Sequence, residues 1–232
     1  MAIALIDGDL VAYPLACYAQ SQGWSLEDTL KAASDRVTNI MVGAECEHYG
    51  LYLSSQDKSN FRYSIDPEYK ANRKDKEQPE WLSQIRQHLL DKHDTEVCYG
   101  YEADDALGLD QCDAIHHEVS TVICSYDKDL NMIPGWHYNW VKNTKYYVEE
   151  IQGLRHFYSQ LLIGDKADNI FGVPGIGAVK AAKLLDGLET EQEMYDAVKE
   201  KYDSIERLHK NMRLLWIWRK QDDNPLERDL VL

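Results

Sequence analysis

Acidic residues follow three short apolar runs of the sequence. The runs are Ala2–Ile6, Val97–Tyr99 and Val119–Cys124, and each is typical of a buried strand. The carboxyl ends of parallel strands meet at one edge of a sheet, where open α/β proteins bind their ligands. We therefore expect the acids that follow these runs to share one crevice. They are Asp7, Asp9, Glu102, Asp104, Asp105, Asp127 and Asp129.

Carboxylates gathered in one crevice repel each other unless cations neutralise them. A further pair, Asp165 and Asp168, is spaced so that a helical turn would place both acids on one face and complete a second metal shell. No histidine accompanies the acids, so an all-oxygen site suits Mg²⁺ or Mn²⁺ better than zinc. Each cluster taken singly is equally consistent with helix N-caps, but the recurrence at three strand ends favours a shared metal site.

A dense basic patch begins at Tyr69. Lys70 and Arg73 could neutralise the charge that develops on the non-bridging oxygens of a phosphodiester, and Tyr69 could stack on a nucleobase. A solvated loop or helix start explains the patch equally well when it is taken alone. Beside a carboxylate crevice, the patch gains a specific role in phosphate chemistry.

A glycine-rich turn precedes a predicted helix that carries two lysines. Glycines let backbone N–H groups approach a phosphate, and a helix start presents the positive end of its dipole. The alternative is a helix–helix turn without a ligand, but the lysines favour phosphate binding. The residues concerned are Gly172, Gly175, Gly177, Lys180 and Lys183.

The elements that must position these residues alternate between strand and helix. A fourth apolar run lies at Tyr49–Leu53, and helical apolar spacing occurs at Leu26–Met41, Trp81–Leu90 and Ala103–Ile115. This alternation predicts an α/β fold with a mainly parallel, twisted sheet flanked by helices. Two further strands, Tyr138–Val141 and Tyr146–Ile151, are predicted to form an appended hairpin, and the pattern is helical from residue 154 onward.

Length and composition limit the class of protein. The 232 residues suffice for one continuous core with a small appendage. The net charge of −15 argues against a nucleic-acid partner unless many acids hold cations. The five cysteines show no ligand spacing, and we expect them to be free, buried thiols. No apolar run suits a membrane span and the start lacks the basic region of a signal peptide, so we expect a cytoplasmic protein, in the host cytoplasm if a phage encodes it.

Five motifs together resemble the 5′-nuclease superfamily, which contains the flap endonucleases, the 5′-nuclease domain of bacterial DNA polymerase I and the phage 5′→3′ exonucleases. The likeness is closest to the phage enzymes and spans nearly the whole chain. The motifs are Leu5-Ile6-Asp7-Gly8-Asp9, Tyr69-Lys70-Ala71-Asn72-Arg73, Glu102-Ala103-Asp104-Asp105, Ser125-Tyr126-Asp127-Lys128-Asp129 and Gly164–Gly177.

The resemblance implies a PIN-like nuclease fold and a role for each matching residue. Lys70 corresponds to the catalytic lysine and Arg73 to a phosphate-clamping arginine. The glycine turn corresponds to a helix-hairpin-helix that grips duplex DNA with the help of K⁺. The first metal would be held by Asp7, Glu102 and Asp104, with Asp57 as an addition. The second would be held by Asp127, Asp129, Asp165 and Asp168, with Asp105 as a supporting or bridging acid.

The implied function is hydrolysis of phosphodiester bonds near 5′ ends by a two-metal Mg²⁺ mechanism, with Mn²⁺ as a substitute. DNA with 5′ ends, flaps or nicks is the expected partner and RNA–DNA hybrid a further candidate, in phage-type replication, recombination or primer removal. We expect a monomer that does not bind membranes.

The implied domains are an α/β core over residues 1–152 and a helical region over residues 153–232. The core would include a short arch-like segment near 66–92, and the helix-hairpin-helix would lie near 162–186. Two departures from the family pattern stand out. The segment between Tyr69 and Glu102 is short for an arch, and Tyr13-Pro14 stands where relatives often carry a basic residue.

Two other interpretations compete with a nuclease. Haloacid-dehalogenase-like phosphatases also begin with a strand followed by Asp-x-Asp, and Asp165 and Asp168 come within one residue of their late motif. Those enzymes do not require the acids around Glu102 and Asp127 or the glycine turn. A catalytically inert DNA-binding relative fits poorly, because no acid of the set is missing.

Overall fold

The computed structural model describes residues 2–73 and 77–231. Within them lies a six-stranded sheet with the order β3-β2-β1-β4-β5-β6, in which neighbours are parallel except for β5 and β6. The strands are β1 (Ala2–Asp7), β2 (His48–Ser54), β3 (Thr95–Cys98), β4 (Ser120–Cys124), β5 (Gly135–Asn139) and β6 (Thr144–Val148).

Helices cover the sheet and form most of the C-terminal part of the described chain. They are α1 (Gly8–Gln22), α2 (Leu26–Gly43), α3 (Arg62–Ile65), α4 (Leu82–Lys92), α5 (Ala103–His116), α6 (Glu150–Ile163), α7 (Ala178–Leu185), α8 (Glu191–Lys199) and α9 (Ile205–Leu215). Two short antiparallel strands, β7 (Gly164–Asp165) and β8 (Ile170–Phe171), connect α6 to α7. Single 3₁₀ turns lie at Ala71–Arg73, Asp129–Met132 and Pro225–Glu227. Among the described helices, none combines the length and apolarity that crossing a bilayer requires.

The sheet separates two hydrophobic cores, because successive residues of a strand point to opposite faces. Ile6 packs in the core that α1, α2 and α4 cover, and Leu5 packs in the core that α5 covers. The second core continues through α6, α7, α8 and α9. The predicted boundary between residues 152 and 153 therefore falls inside α6 and is crossed by shared packing.

A crevice is expected beside β1, because the strand order reverses there. The chain continues from β1 to β2 on one side, whereas β4 pairs with the other side. Doubly wound sheets bind ligands at the carboxyl ends of the strands that flank such a reversal. β1 ends at Asp7 and β4 ends just before Ser125, so the predicted acids stand at this position.

The predicted α/β class and mainly parallel sheet are confirmed, but several elements differ from the prediction. The first strand of the hairpin spans Gly135–Asn139 rather than Tyr138–Val141. α1 is not among the predicted helices, because Pro14 interrupts its helical pattern. Asp7 caps the start of this helix by accepting a hydrogen bond from the Leu10 N–H (3.0 Å). The last strand of the hairpin ends at Val148 rather than Ile151. The reason is a capping box between Glu149 and Gln152 that begins α6.

The predicted arch-like segment, residues 66–92, divides into two parts. Its second part forms α4, in which Leu82, Ile85 and Leu89 are buried in the core beside α1 and α2. Residues 66–73 lie across the crevice instead, against the turn between β7 and β8. Residues 74–76 lie outside the described residues.

Candidate active site

Asp7 stands at the centre of the crevice and is almost fully buried. One carboxylate oxygen accepts the Leu10 N–H, and the other accepts the Ser125 hydroxyl at 2.9 Å. Burial raises the pKa of Asp7 to about 7, and repulsion from Asp9 and Asp127 adds to the rise. The strand end therefore concentrates negative charge that the surrounding protein does not neutralise.

Asp104, in the first turn of α5, faces the same charge. Burial raises the pKa of Asp104 well above its usual value, and repulsion from Asp7 and Asp127 contributes next. The Asp127 backbone N–H donates to the Ser125 hydroxyl at 3.0 Å, and that hydroxyl donates to Asp7. Ser125 therefore connects Asp7 and Asp127. Asp7, Asp104 and Asp127 are thus brought together as predicted.

Asp9 points away from this group. Its carboxylate accepts the Ser54 N–H at 2.9 Å and forms an ion pair with Arg86 of α4 at 2.5 Å. Arg86 also donates to the Ser54 carbonyl at 2.6 Å. Arg86 is not among the predicted site residues, since a single arginine on an amphipathic helix does not match any motif that would indicate a functional site.

Glu102 belongs to a charge-balanced part of the site. Lys70 lies 2.5 Å from one oxygen of Glu102, and the Tyr69 hydroxyl donates to the other at 3.0 Å. Although burial opposes ionisation, the nearby Lys70 and Arg62 lower the pKa of Glu102 to about 2. The pKa of Lys70 is raised despite its burial, because Glu102 and Asp168 attract the ammonium. Glu102 and Lys70 are therefore both charged at neutral pH.

The Asp165 and Asp168 pair does not lie on a helical turn, as the sequence analysis expected. Asp165 ends β7 and Asp168 lies in the tight turn that precedes β8, because Gly164 and Asn169 take left-handed backbone conformations there. Asp168 consequently joins the basic group: it pairs with Arg73 at 2.5 Å and accepts the Tyr69 hydroxyl at 2.8 Å.

Asp165 instead joins Asp129, the last acid of the β4 loop. Burial raises the pKa of Asp129 to about 7, and repulsion from Asp127 and Asp165 adds to this rise. Gln160 of α6 donates to the Asp129 carboxylate at 2.6 Å. The acidic group therefore extends from Asp7 to Asp165 by way of Asp127 and Asp129.

Two predicted metal ligands have other surroundings. Asp57 is exposed, and its contacts are to Ser55 and Ser59 in its own loop. Asp105 is fully buried and forms a two-pronged ion pair with Arg62 at 2.6 and 2.8 Å. Its oxygens also accept the backbone N–H groups of Glu102 (3.0 Å) and Trp218 (3.2 Å). These contacts use the lone pairs that a metal would need.

Tyr69 cannot stack on a nucleobase as the sequence analysis suggested, because its ring is only 2% exposed. Its hydroxyl connects Glu102 and Asp168, and its ring lies under the Lys70 ammonium at 5.0 Å. Tyr69 is therefore a support for the charged groups rather than a surface for DNA.

The glycine-rich turn packs closely against the segment around Gly164. Gly172 packs so tightly against Gly164 that a Cβ on Gly172 would lie 2.4 Å from the Gly164 nitrogen. Gly175 has φ +77°, which disfavours other residues. Gly177 begins α7 and is exposed. Of the two lysines, Lys183 is exposed and Lys180 donates to the Gly175 carbonyl at 2.8 Å.

The donor chemistry of the crevice fits a hard divalent cation. No three His, Cys, Asp or Glu side chains among the described residues are already gathered as a metal-binding group. Lys70 and Arg73 form ion pairs with two of the predicted ligands, Glu102 and Asp168. The remaining acids are oxygen donors whose mutual repulsion a cation would relieve.

Similarity to known proteins agrees with this geometry. The chain is 28% identical to DNA polymerase I of Bacillus caldotenax over 243 residues, which cover 92% of the chain and 27% of the polymerase. It is 29% identical to the exodeoxyribonuclease of Enterobacteria phage T3 over 168 residues, covering 69% of the chain and 53% of that enzyme. The chain therefore spans about a quarter to a half of the length of these relatives.

The fold is also that of a solved nuclease. The flap endonuclease of bacteriophage T5, solved with DNA and metal ions, superposes with a TM-score of 0.67 at 18% identity over 93% of this chain and 89% of that chain. The family model described as the 5′-3′ exonuclease N-terminal resolvase-like domain matches residues 2–156. Because that model spans more than half of the sequence, the chain belongs to the 5′-3′ exonuclease family, within the 5′-nuclease superfamily.

Proposed function

We propose that this protein hydrolyses phosphodiester bonds near the 5′ ends of duplex or branched DNA in a reaction that requires Mg²⁺. The observation that carries the proposal is the juxtaposition of two groups in the crevice. Asp7, Asp104 and Asp127 form an acidic group with unrelieved repulsion, and Lys70 with Arg73 forms a basic group beside it. Hydrolysis of a phosphodiester with the help of metal ions would need both groups, acids to hold the ions and basic residues to neutralise the phosphate oxygens.

The proposed metal ligands follow from these positions. Asp7, Glu102 and Asp104 would hold the first ion, and Asp127, Asp129, Asp165 and Asp168 would surround the second. Asp57 and Asp105 are left out, because their carboxylates are engaged elsewhere. Two Mg²⁺ ions, or Mn²⁺ in their place, would supply an activated water and stabilise the leaving oxygen.

The basic residues act on the phosphate itself. Lys70 is held between Glu102 and Asp168, so its charge is fixed in place before a substrate binds. Such preorganised charge stabilises the non-bridging oxygens as negative charge develops on them. Arg73 is nearly half exposed, with 47% of its side chain accessible, and can turn from Asp168 to a phosphate oxygen. Lys70 is thus the largely buried catalytic cation, and Arg73 is the accessible arginine that would bind the phosphate.

The turn from Gly172 to Gly177 would bind the duplex away from the cut. Its backbone and the start of α7 face solvent, and Lys183 adds positive charge. A K⁺ ion bound by carbonyls of this turn would strengthen the grip on the phosphates. Primer removal, recombination or replication in a phage-type system is the biological role that such a substrate preference suggests.

One assay tests the proposal. End-labelled single-nick, gapped, 5′-flap, blunt duplex and RNA–DNA hybrid substrates are incubated with the protein and either Mg²⁺ or a chelator. We expect cleavage from or near the 5′ end with Mg²⁺ and none with chelator. The substrate series separates exonuclease from flap cleavage and tests whether RNA is removed. If purified protein with Mg²⁺ cleaves none of these substrates, the proposed activity is wrong.

A further inference from the structure

Two asparagines in the sequence motifs have no role in the function proposed above. Asn72 lies between Lys70 and Arg73, and Asn169 directly follows Asp168. Neither amide can serve as a general acid or base. Their contacts nevertheless link the two segments that carry the basic residues and the second-metal acids.

The segment 68–73 donates hydrogen bonds to three consecutive carbonyls of the turn that contains Asp168. The Asn72 amide donates to the Lys166 carbonyl at 2.8 Å, and the Arg73 Nε donates to the Ala167 carbonyl at 3.1 Å. The backbone N–H of Lys70 donates to the Asp168 carbonyl at 3.0 Å. Three consecutive acceptors of the turn are thus satisfied by one segment.

A fourth hydrogen bond runs in the opposite direction. The Asn169 amide donates to the Glu68 carbonyl at 2.8 Å. Both Lys70 (φ 54°) and Asn169 (φ 62°) have the left-handed conformation, which asparagine tolerates better than most residues and lysine does not favour. The strained Lys70 backbone is therefore maintained by its surroundings.

We propose that Asn72 and Asn169 are positioning residues, whose reciprocal hydrogen bonds form a clasp that fixes Lys70 relative to Asp168. The clasp comprises the Asn72 bond to Lys166 and the Asn169 bond to Glu68. It makes the catalytic cation and a second-metal acid move as one unit. The expected effect of the clasp on reaction rate rests on the proposed nuclease function, whereas its expected effect on hydrogen exchange does not.

The first test measures hydrogen exchange and does not depend on nuclease activity. The Lys70 N–H is bonded across the interface, so its hydrogen exchange in metal-free protein reports whether the two segments stay together. Asn72→Ala removes one bond, and Asn169→Gly removes the other while keeping the backbone conformation accessible. We expect both variants to accelerate exchange in residues 68–73. Gln87→Ala removes an exposed amide on α4 that donates to Asp91 and should change nothing in residues 68–73.

The second test measures the reaction under single-turnover conditions on a 5′-flap duplex. Misplacement of a catalytic group by about 1 Å can cost a hundredfold in rate, so each variant should lower the maximal rate about tenfold or more. The concentration of protein that half-saturates the rate should stay unchanged, since neither amide is proposed to touch DNA. The Mg²⁺ concentration for half-maximal rate should rise, because Asp168 is no longer fixed.

Substitutions at position 72 separate hydrogen bonding from simple size. Asn72→Gln keeps an N–H donor and should recover part of the rate lost in Asn72→Ala. Asn72→Asp matches asparagine in shape but offers no donor to the Lys166 carbonyl, and it should remain slow. Asn72 is exposed, so all three substitutions should leave the fold intact.

Three results would overturn the clasp. Unchanged exchange in Asn72→Ala and Asn169→Gly would show that the amides do not hold the segments together. Faster exchange with a normal rate would remove their positioning role. Weaker binding with a normal maximal rate would make them DNA contacts instead. If the wild-type protein shows no nuclease activity at all, the proposed function fails while the exchange measurement still decides the clasp.

Discussion

Each acid of the crevice has a different set of neighbours, and these determine what it can do. Glu102 is balanced by Lys70, and its pKa falls to about 2. Asp7 and Asp129 are buried beside other acids, and burial followed by repulsion raises the pKa of each to about 7. A divalent cation therefore gains most at the crowded positions, where it relieves repulsion as well as accepting oxygen ligands.

Replacing Asp104 by Asn should separate catalysis from stability. We expect Mg²⁺-dependent cleavage to be lost, because a proposed ligand disappears. The melting temperature of metal-free protein should rise, since one buried like charge is removed; a rise of roughly 2–4 °C corresponds to about 1 kcal/mol in a domain of this size. The measurements are single-turnover cleavage and thermal unfolding in chelator. Asp113→Asn, on the exposed face of the same helix, should alter neither, and wild-type turnover in Asp104→Asn would exclude Asp104 as a ligand.

Substitution of Lys70 should lower the reaction rate, whereas substitution of the lysines of α7 should weaken DNA binding. Lys70→Ala should lower the single-turnover rate with little change in binding, because Lys70 meets charge that develops only in the transition state. Replacing both Lys180 and Lys183 should weaken binding and leave the rate at saturating protein intact, because backbone phosphates are present throughout the reaction. Cleavage of a 5′-flap duplex across protein concentrations distinguishes the two. If added protein rescues Lys70→Ala but not the double variant, the two roles are exchanged.

The convergence of the acids could be predicted from the sequence, but their partners could not. Strand-end positions are local signals, so Asp7, Asp104 and Asp127 were expected together. Asp105 was expected beside them, yet its partner Arg62 is distant in sequence and no local pattern connects the two. The predicted helical turn at Asp165 and Asp168 is wrong, although their spacing suits one. A tight turn between β7 and β8 gives the two acids different neighbours.

At the scale of elements, α5 is held at its first turn by a buried clamp. Arg62 of α3 pairs with Asp105 and donates to the carbonyls of Leu214 (2.8 Å) and Trp216 (2.7 Å). Asp105 in turn accepts the backbone N–H of Glu102, a proposed ligand. The clamp therefore joins three distant parts of the chain at the helix end that carries the acids.

Breaking this clamp should be costly. Arg62→Met should lower the free energy of unfolding by roughly 3–5 kcal/mol, the cost of leaving one buried charge without its partner. Urea unfolding followed by circular dichroism gives the value. Lys31→Ala is a suitable control, because it removes only an exposed ion pair with Asp35, which water and salt screen, and it should leave the free energy of unfolding almost unchanged. A loss below about 1 kcal/mol in Arg62→Met would show that the clamp is not the support that its burial indicates.

The elements themselves were predicted where periodicity is unbroken. The four parallel strands β1 to β4 and the helices α2, α4 and α5 have clear apolar patterns. α1 was missed because Pro14 interrupts its pattern, although neighbouring side chains still bury one face. The end of β6 was misjudged because apolar Ile151 continues the strand pattern into α6, where the capping box of Glu149 takes precedence.

At the scale of the whole molecule, the charge of −15 opposes DNA binding unless cations enter the crevice. We expect affinity for a duplex with a 5′ overhang to rise when Ca²⁺ replaces chelator, although Ca²⁺ should not support cleavage. Fluorescence anisotropy measures this directly. Added salt should weaken binding with a modest slope, because few basic residues are available to contact phosphates. Equal affinity in Ca²⁺ and in chelator would contradict the role given to the acids.

The clamp around Arg62 also has a consequence for the order in which the molecule can be made. Arg62 leaves the ribosome 152 and 154 residues before the Leu214 and Trp216 carbonyls that accept its hydrogen bonds. A guanidinium does not enter an apolar interior without its partners, so α3 must wait in water until these carbonyls have been made. A chain stopped after Arg213 should therefore show fast hydrogen exchange at the start of α5, whereas the 232-residue chain should be protected. The carboxylates at the start of α5 would then reach their final arrangement only after Trp216 has left the ribosome.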